Sequence, residues 1–246
     1  MGKITLEVCV DTIAGANDAI NNGADRIELC DALGIGGTTP SAGLMKAVAK
    51  LDKPVYAMIR PRGGDFIFNF EDMDIMLHDI DKCRHYGLEG IVIGITHENG
   101  SLDHKKLERL IEQADGMGVT LHRAFDVTPD TSEALEMVVD LGIERILTSG
   151  QRETALEGAL NIRNVINQAA GRVSIMPCSN VNPASVDSLF KIFNVNEIHS
   201  SCRTQITSPY VDSAPSMAPG DDFSRNITDP VKVKALVEKL ATYEKE

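Results

Sequence analysis

The stretch Met58-Ile59-Arg60-Pro61-Arg62-Gly63-Gly64-Asp65-Phe66 sets two fixed cations beside paired glycines, directly after an apolar run. Guanidinium groups grip carboxylates and phosphates through several N–H donors, and glycine backbone lets an anion approach closely. Arg60 and Arg62 are therefore candidate anion-binding residues. His122, in His122-Arg123-Ala124-Phe125-Asp126, is the candidate acid or base, since imidazole is the side chain that titrates near neutrality unperturbed. Asp126 follows closely enough to orient it or to act separately, and Glu7 or Glu28 could serve as its carboxylate partner. Sulfur offers a second chemistry. Cys9, Cys30, Cys178 and Cys202 all end or follow apolar runs, whereas Cys83 lies inside a helical pattern and reads as structural. Thiolates favour Cu(I) or zinc over hard cations. No C-x-x-C pair is present, however, and a free cysteine is also an ordinary small core residue.

These residues need a scaffold, and the chain alternates short β-rich runs with helical patterns. Strands are expected at 5–10, 26–30, 54–60, 90–95, 119–125, 144–148, 172–176 and 196–199, with helices between them. The sixth helix is expected over 153–169 and a last one over 229–243. Parallel strands require helical crossovers, and eight such units in 246 residues match the size of a (β/α)8 barrel. The first strand-to-helix turn, Val10-Asp11-Thr12, lacks the glycines of a dinucleotide-binding open sheet, so the barrel is preferred. The expected architecture is a single α/β domain over 1–246 of TIM type. The segment 200–227 is too long for a plain connector, and it is expected to cover the C-terminal mouth or to form a subunit contact.

Strand alternation then sorts the side chains. Leu6, Val8 and Val10 should face the helices, which leaves Glu7 and Cys9 inward. The same rule turns Arg26, Glu28, Cys30, Tyr56, Met58, Arg60, Thr120 and His122 toward the barrel axis. Barrel active sites lie at the C-terminal strand ends, where Cys9, Cys30, Arg60, His122, Asp126, Cys178 and Cys202 all fall. The alternative is that Glu7, Arg26, Glu28 and Arg60 form a closed interior network, because an isolated buried charge is very costly.

The formal net charge of −12 argues against nucleic acid and anionic membrane as partners. The start, Met1-Gly2-Lys3-Ile4-Thr5, enters a strand pattern without a signal peptide, and no apolar run approaches the length of a membrane helix. Five cysteines, an odd number in a chain too long to need staples, point to a reducing cytoplasm.

Five blocks in one order carry a resemblance: Glu7-Val8-Cys9-Val10-Asp11, Gly23-Ala24-Asp25-Arg26-Ile27-Glu28-Leu29-Cys30, Met58 to Phe66, His122 to Asp126, and Arg145-Ile146-Leu147-Thr148-Ser149-Gly150-Gln151. Together they resemble the CutC family of copper homeostasis proteins, from about 4 to 203. The resemblance implies a TIM-type barrel, a cytoplasmic location, a homo-oligomer such as a dimer or tetramer, and Cu(I) held by thiolates, here Cys9 and Cys30. The sequence departs from the family after the seventh strand, where the usual Met-Pro-Gly-Gly-Gly reads Met176-Pro177-Cys178-Ser179-Asn180. That change removes glycines suited to an anion cradle and adds a thiol near Cys202. Two functions follow as expectations. One is copper homeostasis through Cys9 and Cys30, with Cys178 and Cys202 as further thiols that would form a metal or redox pair. The other is a barrel enzyme for a small anionic metabolite, with His122 as acid or base and Arg60 and Arg62 as the clamp.

Overall fold

Runs rich in Val, Ile and Leu form strands here because helices cover one face of the sheet and the barrel interior the other. The computed structural model describes residues 2–209, 215 and 223–244. Eight strands make the sheet: β1 Thr5–Val10, β2 Arg26–Leu29, β3 Val55–Met58, β4 Gly90–Ile93, β5 Gly118–Leu121, β6 Arg145–Thr148, β7 Ser174–Pro177 and β8 Glu197–Ser200. They pair in parallel in the order β7-β6-β5-β4-β3-β2-β1-β8, and β7 lies against β8, so the sheet curls into a nearly closed TIM-type barrel. Outside lie α1 Ile13–Asn21, α2 Ala42–Val48, α3 Phe70–Tyr86, α4 His104–Ala114, α5 Thr131–Asp140, α6 Ala159–Ala169, α7 Pro183–Phe190 and α8 Pro230–Ala241.

Local chemistry sets the helix ends. Asn69 and Asp72 form a reciprocal capping box at the start of α3, and Gly87 closes that helix at φ 76°, a conformation that favours glycine. The outward strand residues Leu6, Val8, Ile27, Leu29, Ile91, Ile93, Leu121 and Ile146 join helix residues such as Met76, Leu110, Leu135 and Val186 in one apolar layer. Each fully buried side chain of this size contributes about 1.5–3 kcal/mol. Inside the barrel the apolar groups are fewer: Cys30, Tyr56, Met58 and Val92 cluster on one side, and Leu147, Met176 and Cys178 on the other.

Three expectations change. The fifth strand ends at Leu121 rather than 125, and Arg123–Val127 form a 3-10 turn started by His122, whose ring accepts the Ala124 N–H. The sixth helix begins at Ala159 rather than 153, after Gly158, which packs on the loop after β6. A Cβ there would lie 1.9 Å from the Ser149 carbonyl oxygen, so only glycine fits this contact. The segment after β8, expected as a loop, begins and ends as an antiparallel ribbon of β9 Arg203–Thr207 and β10 Ser224–Thr228. Its base is tied to the barrel by the Asp229 N–H, which donates to the Cys202 carbonyl at 2.8 Å. The remainder of the expected cover, 210–214 and 216–222, lies outside the described residues.

Candidate functional site

Parallel register decides which inward side chains meet. Glu7 aligns with Arg26 on β2 and with His199 on β8, and Cys9 aligns with Glu28. At the N-terminal strand ends this produces a closed ionic layer. Arg26 Nε donates to Glu7 at 2.6 Å, and Arg26 also pairs with Glu197. Arg145 donates to Glu197 at 2.9 Å and to Glu144 at 2.6 Å, and the Tyr56 hydroxyl donates to Glu144 at 2.6 Å. Both guanidiniums lie over the Tyr56 ring, 5.4 and 4.9 Å from its centre. Glycines make that ring fit: a Cβ on Gly90 would sit 2.1 Å from it. Arg26 thus belongs to an interior network, with Arg145, Glu197 and Glu144 as members that the strand patterns did not single out.

At the C-terminal ends the barrel opens into a cavity of about 640 Å3, lined among others by Cys9, Glu28, Arg60, His122, Cys178 and His199. His199 was missed as a site residue. The available signal was alternation, since Ile198 faces the helices and its neighbour must face the axis beside Glu7. Its Nδ1 lies 2.8 Å from Glu7 Oε1 and its Nε2 lies 3.9 Å from Glu28 Oε2. Despite burial, which alone would lower it, the flanking Cys9, Glu28 and Glu7 hold the His199 pKa well above its ordinary value. Glu7 meets the opposite balance. Burial raises it, but His199 and Arg26 pull its pKa down to about 2. Glu28, fully buried and also beside Glu7, is pushed up to about 7, which poises it to exchange a proton near neutrality.

Cys9, Glu28 and His199 bring their ligand atoms within 4.8 Å of one another, a cluster able to hold a metal ion. Cys30 adjoins it without being one of the three. Its thiol donates to Glu28 Oε2 at 3.6 Å, and burial together with Glu28 drives its pKa well above the usual thiol value. Cys178 and Cys202 line the cavity, and burial raises both thiols, Cys178 to about 12. All five cysteines are free and buried. Of the three positions expected to be glycine, Ser179 and Asn180 adopt the left-handed backbone that glycine favours, at φ 69° and 59°. Asparagine tolerates that region readily and serine less so.

Arg60 and His122 occupy the opposite wall. The glycine-rich loop after β2 wraps Arg60, whose Nη atoms donate to the carbonyls of Ile35, Gly37 and Gly64 at 3.0, 2.9 and 2.8 Å. Among the described residues no carboxylate pairs with it, and its Nε has no hydrogen-bond partner. His122 lies across the end of β4, where a Cβ on Gly94 would be 2.3 Å from the ring. The Ala124 N–H donates to His122 Nδ1 at 3.0 Å, so the neutral ring carries its proton on Nε2. Burial and the nearby Arg60 hold its pKa down at about 3. His122 is thereby a neutral hydrogen-bond donor at pH 7 rather than a titrating base.

The other two expected residues point elsewhere. Arg62 bonds to Asp65 and the Ile67 carbonyl, lies 3.5 Å from Asp72, covers the Phe68 ring, and does not line the cavity. Asp126 holds the loop after β6, accepting from the Ser149 and Gln151 N–H groups, Thr148 Oγ1 and Arg123 Nε. Its hydrogen-bonding capacity is spent on the fold.

A family model described as the CutC family matches residues 4–204, ending at the start of β9. A family protein CutC from Rhizobium meliloti is 47% identical, over 98% of this chain and 97% of its own length. One from Agrobacterium fabrum is 52% identical, over 80% of this chain and 78% of its own. The crystal structure of a CutC protein from Streptococcus agalactiae, named for copper homeostasis, superposes with a TM-score of 0.77 at 32% identity, covering 80% of this chain and 98% of that one. By sequence and by fold alike, the chain belongs to the CutC family.

Proposed function

We propose that this barrel is a cytoplasmic copper homeostasis protein that holds Cu(I) at its C-terminal mouth, on Cys9 and His199 with Glu28 alongside. The observation that carries the reading is the convergence of one thiol, one imidazole and one carboxyl within 4.8 Å. The donor set fits. Thiolate and imidazole are both ligands for a soft monovalent ion, and Glu7 on Nδ1 turns the other imidazole nitrogen toward the cluster. The charge fits as well. On binding, Cu(I) takes the place of the His199 Nε2 proton and the Cys9 thiol gives up its own, so two protons leave for one ion and the adjacent Glu28 carboxyl is placed to take one of them up. The ion is cargo here, and the protein supplies the pocket and, in Glu7, the carboxylate that orients the imidazole. Cys30 contributes beside the cluster rather than as a principal ligand, since its thiol is engaged with Glu28. Five buried reduced thiols support the cytoplasmic setting, and self-association through the 200–227 segment belongs to the same reading.

The test is a Cu(I) competition titration on reduced protein. Cys9→Ser and His199→Gln should each lose most of the affinity. Glu7→Gln should weaken it about 10- to 100-fold, as the loss of a group that orients a ligating imidazole does. Cys30→Ser should have the smallest effect of the four. Binding that is indifferent to Cys9 and His199 refutes the reading.

A further inference from the structure

Three buried side-chain nitrogen or oxygen atoms have no hydrogen-bond partner among the described residues: Arg60 Nε, His122 Nε2 and Glu28 Oε1. All three residues are more than nine-tenths buried, and all three line the same cavity. Buried polar atoms are almost always paired, because an orphan forfeits its hydration with nothing in return. Two of these atoms are donors. Arg60 is a guanidinium whose Nη groups are spent on backbone carbonyls, and His122 is fixed as the Nε2–H tautomer by Ala124. The third is an acceptor. Phe66 keeps the two donors together, with its ring 5.1 Å from the Arg60 guanidinium and 4.7 Å from the imidazole centre. Leu33, Met58 and Leu147 add apolar wall, and the rim carries Arg203 and Lys232. In a chain of net charge −12, a mouth this rich in cations is a local reversal of sign.

We propose that the mouth also receives a small hydroxy- or amino-carboxylate, its carboxylate held by Arg60 Nε–H and His122 Nε2–H and its O–H or N–H donated to Glu28 Oε1. A carboxylate between a fixed cation and a neutral donor satisfies both orphans at once, and a hydroxyl or amine satisfies the third. The cavity volume of about 640 Å3 falls in the range of small-molecule sites and leaves room for an apolar body against Leu33 and Met58. The inference does not depend on copper. It stands on β3 and β5, across the barrel from Cys9 and His199, and shares only Glu28 with the metal cluster.

Calorimetric titration of reduced, chelator-treated protein tests it with glycolate, lactate and phenyllactate. Phenyllactate should bind, with phenylpropionate, which lacks the hydroxyl, and phenylpropanediol, which lacks the carboxylate, each weaker by about 10- to 100-fold. His122→Asn keeps an acceptor for the Ala124 N–H while deleting the Nε2 donor, and it should weaken phenyllactate by about 10- to 100-fold. Its Cu(I) affinity should be retained, which separates a failure of this inference from a failure of the copper reading. Arg60→Lys, which keeps the charge and loses the Nε–H, is the second variant, with folding checked by circular dichroism. Long-range proton–nitrogen NMR of the six histidines should show the His122 Nε2 signal moving on titration. If no hydroxycarboxylate moves that signal or releases heat at millimolar concentration, or if both variants bind like the parent, the inference is overturned.

Discussion

The two ends of the barrel interior treat buried charge in opposite ways. At the N-terminal end Arg26, Arg145, Glu7, Glu197 and Glu144 close on one another, and Tyr56 lies beneath both guanidiniums. At the C-terminal end Arg60 has no carboxylate partner among the described residues, His122 is neutral, and Glu28 keeps a free oxygen. The residue types are the same, so type alone does not separate scaffold from site. Satisfaction does. A paired charge in the interior is repaid by its partner, whereas a group unpaired among the described residues is free to meet a ligand.

That contrast can be broken at its strong end first. Glu197→Ala leaves Arg26 and Arg145 buried without the carboxylate they share. It should cost about 3–5 kcal/mol, measured by urea unfolding, whereas a mouth substitution such as His122→Asn should cost far less. A loss below 1 kcal/mol for Glu197→Ala would mean that the network is incidental.

The next effect concerns Glu28 and depends on pH. Its folded pKa of about 7 lies above the ordinary 4.5. Between those values the unfolded chain releases the proton and the folded chain keeps it, so wild-type stability falls as pH rises from about 4.5 to 7. Glu28→Gln removes this dependence. Relative to wild type it should gain about 2–3 kcal/mol on going from pH 5 to pH 8, read from paired denaturation curves. An unchanged difference across that range would mean that Glu28 is not held protonated. The smallest effect is expected at Arg62, which faces Asp65 and Asp72 away from the cavity. Arg62→Gln should change phenyllactate or Cu(I) affinity by less than about twofold, and a larger change would extend the site beyond the barrel mouth.

Much of the scaffold was readable because its signals are local. Alternation placed Glu7, Cys9, Glu28 and Arg60 on the axis, and there the structure has them, Glu7 in the interior network and the other three lining the cavity. Asp126 and Arg62 show where local reading stops. Both sit in polar clusters at strand ends, yet Asp126 is consumed by the Ser149–Gln151 backbone and Arg62 by its own turn. His199 shows the reverse. It carries no motif of its own, and it matters because closing the ring brings β8 beside β1, setting it against Glu7 across 192 positions of sequence.

By itself the sequence determined the alternation of strands and helices, the inward set of side chains and the family blocks, since each follows from periodicity or from contiguous residues. Only the tertiary structure decided which inward charges are paired and which are not. Pairing depends on register between strands distant in sequence, such as Arg26 with Glu197 or His199 with Glu7, and on glycines such as Gly94 that let a ring reach its neighbour. Protonation was decided there too, because the pKa values of Glu7, Glu28 and His122 follow from burial and from charges supplied by other strands.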